Sequence, residues 1–288
     1  MKRILTALVL IPIVLGLVLR APMWLLAVAL AVIALLAARE YLDVAAAYKI
    51  QPFRLITYFA VLVFCLTPVF SARLGDPRMF WGFLASVPFL LLIASMARPD
   101  LAESLPAAAV SLVGCIYIGF PFFCLVQARS FPGGWFSVLL VLLVVWSGDI
   151  FAYYIGRSFG RTPFARRISP QKTWEGAVAS FLGSLAVALA LFTHANDIAH
   201  WAQVACLLPG AATGIFYPPV LPLQVALAAA INVAAQLGDL VESMIKRGAD
   251  IKDSGTLLPG HGGVLDRVDA LLLAAPFAVI VSLLMSSI

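Results

Sequence analysis

Nine runs of apolar residues, each about as long as a bilayer-crossing helix, leave this chain little choice of solvent. They cover roughly 4–19, 22–38, 55–71, 79–97, 105–127, 135–155, 174–194, 221–245 and 264–286. About 20 apolar residues at 1.5 Å rise each cross the hydrocarbon core of a bilayer. Hydrophobic residues make up 63% of the 288, charged residues only 11%, and the mean hydropathy is +1.03. Water-soluble domains stand nearer 45–50% and about 25%. The expected fold is therefore all-α: a polytopic integral membrane protein of about nine transmembrane helices, within a range of about eight to ten. No length is left for a separate soluble domain of ordinary size.

Charge orients the spans. With the N-terminus in the cytoplasm and nine crossings, 15 of the 19 Lys and Arg residues fall on inner loops, the usual positive-inside bias. A further apolar stretch, 200–217, is broken by Pro209-Gly210 and ends at Tyr217-Pro218-Pro219. Counted as a span, it would put the 156–173 and 246–263 loops on opposite sides, so it is expected to be re-entrant or surface-lying. Met1-Lys2-Arg3 before the first run resembles a signal peptide. No small-residue cleavage site follows, and the expectation is a retained first span. The net charge of +5 does not point to a nucleic acid; in a membrane protein it marks cytoplasmic loops and contacts with anionic lipid. Cys65, Cys115, Cys124 and Cys206 sit in apolar runs without CxxC spacing and read as small buried hydrophobes.

The first five spans carry few polar groups, so residues 1–134 are expected to be scaffold and 135–288 the catalytic region, with its site on the cytoplasmic face. Two windows, Asp149–Glu175 and Asp239–Asp269, hold 17 of the 33 charged residues in about a fifth of the chain. Several of their acids lie on or at the ends of spans, where a carboxylate costs about 2.5–3.5 kcal/mol at the helix centre and needs a partner, a metal or water. Asp239, Glu242, Ser243 and Lys246 share one helix face at i, i+3, i+4 and i+7, and Asp266 and Asp269 share another at i, i+3. Two such helices offer a cradle for one or two hard cations, Mg²⁺ above all, since it takes oxygen ligands jointly with substrate phosphates.

Between them runs Lys252-Asp253-Ser254-Gly255, then Leu258-Pro259-Gly260-His261-Gly262-Gly263. Glycines free the backbone to aim N–H groups at an anion, and flanking charge favours a phosphate. His261 is either a packing residue or a donor to that phosphate. In the other window Ser169 and Thr173 can cap a helix with Glu175 in its first turn. Lys172, at the head of that span, is placed to meet a phosphate. Arg157, Arg161, Arg166 and Arg167 are either inner-loop anchors or headgroup contacts.

The residues Ser243-Met244-Ile245-Lys246-Arg247, Lys252-Asp253, Leu258-Pro259-Gly260-His261-Gly262-Gly263 and Leu265-Asp266-Arg267-Val268-Asp269 resemble the hallmark of the phosphatidate cytidylyltransferase (CDP-diacylglycerol synthase) family. The segments Ser169–Gly176 and Gln236–Asp239 resemble it too; the N-terminal half matches only in hydropathy. The resemblance implies the reaction of CTP with phosphatidic acid to CDP-diacylglycerol and pyrophosphate, in the cytoplasmic or inner membrane. It implies dependence on Mg²⁺, a second cation such as K⁺, and a homodimer. Metal ligands are expected first at Asp239 and Asp266, then at Asp149, Glu242 and Asp269. Lys172, Lys246, Arg247 and Arg267 are expected to hold phosphates. Lys252, Asp253 and His261 are expected to shape the nucleotide end, with Ser169, Gly260, Gly262 and Gly263 beside substrate. Three rivals stand against this: an ion-coupled transporter, a lipid kinase acting on a polyprenol, and a structural membrane subunit.

Overall fold

The structure, a computed structural model, describes residues 2–74, 78–208, 219–257 and 262–286. The chain is helical almost throughout. In order come α1 (Lys2–Leu19), α2 (Met23–Ala47), α3 (Arg54–Leu74), α4 (Arg78–Ser95), α5 (Ser104–Gly114), a π-helical turn (Cys115–Gly119) and α6 (Phe120–Ser130). Then follow α7 (Gly134–Phe159), β1 (Pro163–Ala165), β2 (Ser169–Thr173), α8 (Trp174–Thr193), α9 (Ala195–Val204), α10 (Leu221–Gly248), α11 (Leu265–Ala274) and α12 (Pro276–Ser286). The all-α, membrane-like expectation holds.

Among the described residues five helical stretches are long and apolar enough to cross a membrane: Met23–Ala47, Ser104–Ser130, Gly134–Phe159, Trp174–Thr193 and Leu221–Gly248. A sixth exists if α11 and α12, bent by 41°, form one span. The bend follows from Pro276, which has no N–H to donate and disfavours helix in the residue before it. Likewise Pro121 removes a donor inside Ser104–Ser130 and crowds the preceding turn. The helix answers with the π-helical turn just before it. Large apolar side chains such as Leu55, Phe89 and Ile93 stay exposed, as suits a surface covered by lipid.

Two features depart from the sequence expectation. The stretch 156–173, taken as a loop, carries a two-stranded antiparallel ribbon in which Pro163 faces Thr173 and Ala165 faces Ser169. The stretch 200–217 begins inside the ten-residue α9, and 209–218 lie outside the described residues. Cys65, Cys115 and Cys124 are buried, whereas Cys206 is exposed.

The chain forms two compact units, both discontinuous in sequence. The first comprises Met1–Pro22, Gln127–Met244 and Asp269–Ile288; the second comprises Met23–Val126 and Ile245–Val268. In the first, α7 packs along α8 because their facing residues are small. A Cβ at Gly148 would stand 2.8 Å from the Ser180 and Ser184 hydroxyls, the close approach that small residues allow between membrane helices. Arg129 Nε donates to Val18 O and Ser282 Oγ to Ala128 O, tying α6 to α1 and α12. In the second unit Phe64, Phe80, Val87 and Leu91 build an apolar core from α3 and α4. Tyr41 of α2 donates to Val110 O of α5.

Candidate active site

In the first unit, a cavity of about 810 Å³ opens where α7, the ribbon, α8 and α10 meet, lined among others by Asp149, Tyr153, Ser169, Lys172, Gln236 and Asp239. The ribbon explains how Lys172 arrives there. Ile168 N donates to Ala165 O across the turn, and Trp174 N to Thr162 O closes the open end. Glu175 accepts from both the amide and the hydroxyl of Thr162. Thr173 caps α8, its hydroxyl accepting from Gly176 N, as its residue type favours. Ser169 opens β2 instead of capping a helix. Lys172 thus stands immediately before a helix N-terminus, and its Nζ lies 2.6 Å from Asp239 Oδ2. Asp149 lines the same cavity.

Beneath the cavity lies a polar network inside the apolar helices. Asn232 Nδ2 faces Ser180 O, Ser180 Oγ and Ser184 Oγ at 3.3, 3.0 and 2.8 Å. Gln236 Nε2 donates to Asn232 Oδ1 at 2.6 Å, and Ser184 Oγ donates to Val144 O. Apart from Gln236, no sequence pattern singled these residues out. A hydrophilic stripe at 232, 236 and 239, near i, i+4 and i+7 on one helix, was the available signal. On the same helix Ser243 Oγ donates to Asp239 Oδ1, so the expected shared face is present.

In the second unit, α10 ends at Gly248 and the chain turns through Asp250, whose φ is +58°, a conformation that a short polar side chain tolerates. Lys246 Nζ lies 2.5 Å from Asp266 Oδ1, and both side chains are nearly buried. Asp266 also accepts from Ser254 N and Gly263 N. Gly262 has φ +77°, and a Cβ there would stand 2.6 Å from Asp266 Oδ2. Glycine is required at this position on both counts. Tyr48, just past α2, donates its hydroxyl to Ile245 O at 2.6 Å, and burial pushes its pKa above the ordinary tyrosine value.

The sequence matches the cytidylyltransferase family over residues 1–285. The chain belongs to that family. Its relatives include the phosphatidate cytidylyltransferase of Brucella abortus (strain 2308), 37% identical over 212 residues that span 69% of this chain and 71% of the relative. The chloroplastic phosphatidate cytidylyltransferase 4 of Arabidopsis thaliana is 30% identical over 292 residues, 91% of this chain and 68% of the relative. The phosphatidate cytidylyltransferase of Bacillus subtilis (strain 168) is 39% identical over 166 residues, 57% of this chain and 54% of the relative.

For a member of this family, the expected residues fall as follows. Lys172, Ser169, Asp149 and Asp239 share the cavity of the first unit. Glu242, also in that unit, is 1% exposed. Gly238 packs against the backbone of Asp269 and Ala270, which brings α10 and α11 together there. In the second unit Lys246, Asp266 and Gly263 are joined by the bonds above, and Asp253 lies beside Gly262. Arg247, Lys252 and Arg267 are exposed, with Arg247 Nη1 reaching Ile251 O. Gly260 and His261 lie outside the described residues.

Among the described residues no three or more His, Cys, Asp or Glu side chains gather as a metal cluster. Mg²⁺ does not require one, because it is usually held by one or two carboxylates plus waters and substrate phosphates. Asp149 and Asp239 on one cavity offer carboxylate oxygens that fit that donor chemistry.

Proposed function

We propose that this chain transfers the cytidylyl group of CTP to phosphatidic acid, giving CDP-diacylglycerol and pyrophosphate. The observation that carries the reading is the cavity of the first unit, where Lys172 of the family-like Ser169–Gly176 segment meets Asp239 of the family-like Gln236–Asp239 segment. A phosphate oxygen of phosphatidate attacks the α-phosphorus of CTP. The bond from that phosphorus to the bridging oxygen breaks, and pyrophosphate leaves with the electron pair. Such transfers run on positioning and charge stabilisation, with little covalent work by the protein.

Lys172 holds a phosphate oxygen, helped by the start of α8 beside it. Asp149 and Asp239 would hold Mg²⁺, which, when bound, would neutralise charge on the phosphates. Asp239 also sets the Lys172 ammonium in place. Lys246 is a second phosphate contact, oriented by Asp266. Roles at the metal are proposed in turn for Asp266, Glu242 and Asp269, and a second cation such as K⁺ accompanies Mg²⁺. The exposed Arg247, Lys252 and Arg267, with Asp253, Gly260, His261, Gly262 and Gly263, serve the nucleotide and its phosphates.

The membrane reading is nine crossings with the N-terminus and both charged windows in the cytoplasm, in the cytoplasmic or inner membrane, and the chain acting as a homodimer. Counting α1, α3 and α4 with the six longer spans, and the distribution of Lys and Arg, support it. A lipid substrate accounts for charge at the ends of spans: acyl chains stay in the bilayer while the headgroup enters a polar cavity.

The test is incorporation of radiolabelled CTP into chloroform-extractable product by the purified protein with Mg²⁺ and phosphatidate, together with pyrophosphate release. Absence of the lipid product overturns the proposal. Release of nucleoside diphosphate in place of pyrophosphate points to a kinase.

A further inference from the structure

One buried carboxylate takes no part in the chemistry above. Glu40 sits toward the C-terminal end of the alanine-rich α2 and is 7% exposed. A carboxylate at such a place needs partners, and its donors come from one segment far along the chain. Oε2 accepts from Ser254 Oγ at 2.9 Å and from Leu265 N at 2.7 Å. Oε1 accepts from Val264 N at 2.9 Å. Val264 N and Leu265 N lie at the start of α11, where amides have no partner within the helix and favour an anion. Ser254 is the other end of the same segment. Glu40 therefore pins both ends of residues 254–265 to α2.

The surrounding glycines fit this arrangement. A Cβ at Gly255 would stand 2.6 Å from Glu40 Oε1, and one at Gly263 would collide with Glu40 Oε2 and Ser254 Oγ. The signature residue Gly263 and the nearby Gly255 are thus explained by the carboxylate that approaches them. The amide of Gly263 is engaged by Asp266 at 2.7 Å, so its part here is to shape the segment. The residues that Glu40 holds are also those that hold Asp266. Ser254 N donates to both Asp266 oxygens at 3.2 and 3.1 Å, and Asp266 follows Leu265 directly.

We propose that Glu40 is a positioning residue for cytidylyl transfer: by clamping Ser254, Val264 and Leu265 it fixes Ser254 and the start of α11, and with them the orientation of Asp266 against Lys246. The proposal rests on the functional reading above. Its test combines turnover with a measurement that needs no activity.

Glu40→Gln keeps the shape but turns an NH₂ group toward donors. In the purified protein in nanodiscs it is expected to lower kcat by about 10–100-fold, the usual cost of losing a group that orients a reacting one, with KM for CTP within about two-fold. Glu40→Asp is expected to regain part of kcat. Amide hydrogen exchange at Val264 and Leu265 is expected to rise about ten-fold or more in Glu40→Gln, the effect of losing about 1.4 kcal/mol of local protection. Gly263→Ala is expected to lower kcat like Glu40→Ala, and the double variant to cost less than the sum of the two, because Glu40→Ala removes one of the two atoms the methyl would meet and lets the other, the Ser254 hydroxyl, turn away.

Wild-type kcat in Glu40→Gln, unchanged exchange at 264 and 265, or fully additive losses in the double variant each overturn the proposal. If Glu40 variants do not fold, Ser254→Ala removes one hydroxyl bond only. It is expected to cost a few-fold in kcat with raised exchange at 254 and 264–265, and no change in either refutes the clamp. If wild-type protein makes no CDP-diacylglycerol, the functional reading fails while the exchange result still judges the clamp.

Discussion

Asn232→Leu removes the centre of the polar network under the cavity while keeping the number and branching of the side-chain heavy atoms. The asparagine amide has two hydrogens for three acceptors, Ser180 O, Ser180 Oγ and Ser184 Oγ, so it donates two bonds at a time. Its carbonyl accepts one from Gln236. Three bonds at about 0.6 kcal/mol each, the average between membrane helices, predict a loss near 2 kcal/mol. The stranded Gln236 and the two serines find local backbone acceptors, so the figure does not grow much beyond that. The substitution also frees the helix turn that presents Asp239, seven residues on. Equilibrium unfolding in bicelles with increasing SDS measures the stability change, and kcat on CTP and phosphatidate measures the effect on the site. Ser180→Ala combined with Asn232→Leu is expected to cost clearly less than the sum of the two. A stability loss below about 0.5 kcal/mol, or strict additivity with Ser180→Ala, would refute the argument that this network holds α8 to α10.

Lys172→Met is expected to lower kcat by about 10²–10³, the scale of removing one donor aimed at developing charge, and Lys172→Arg to restore only part, since a planar fork does not replace a point charge; steady-state kinetics decide it. Asp266→Asn is expected to abolish turnover while the protein stays folded in detergent, and full activity would remove Asp266 from the machinery. Chelation by EDTA is expected to stop turnover and added Mg²⁺ to restore it, read as pyrophosphate release. Single cysteines at Arg166 and Asp197, placed in a background without Cys65, Cys115, Cys124 and Cys206, are expected to react with an impermeant maleimide from opposite sides of sealed vesicles.

Much of the candidate site was readable because charge in an apolar chain is conspicuous. Asp149, Lys172, Asp239, Lys246 and Asp266 were all visible as ions where ions are costly, and three of them share one cavity. The ribbon was hidden because two short strands at 163–165 and 169–173 leave no periodic signal between two strongly apolar helices. Glu40 was hidden for a different reason. A single acid near the end of an apolar run reads as an interfacial residue, and the α2 helix continues to Ala47, past the end of the run at 38.

By itself the sequence determined the solvent, the helical class, the windows where charge concentrates and, through the signature residues, the family. These depend on composition and on spacings within one helix, and both are local. Only the tertiary structure decided which charges pair: Lys172 with Asp239, Lys246 with Asp266, and Glu40 with a segment more than 200 residues away. Pairing between distant segments is set by how helices pack, by the close approaches that Gly148 and Gly238 allow, and by the geometry of single hydrogen bonds. None of these leaves a period in the chain.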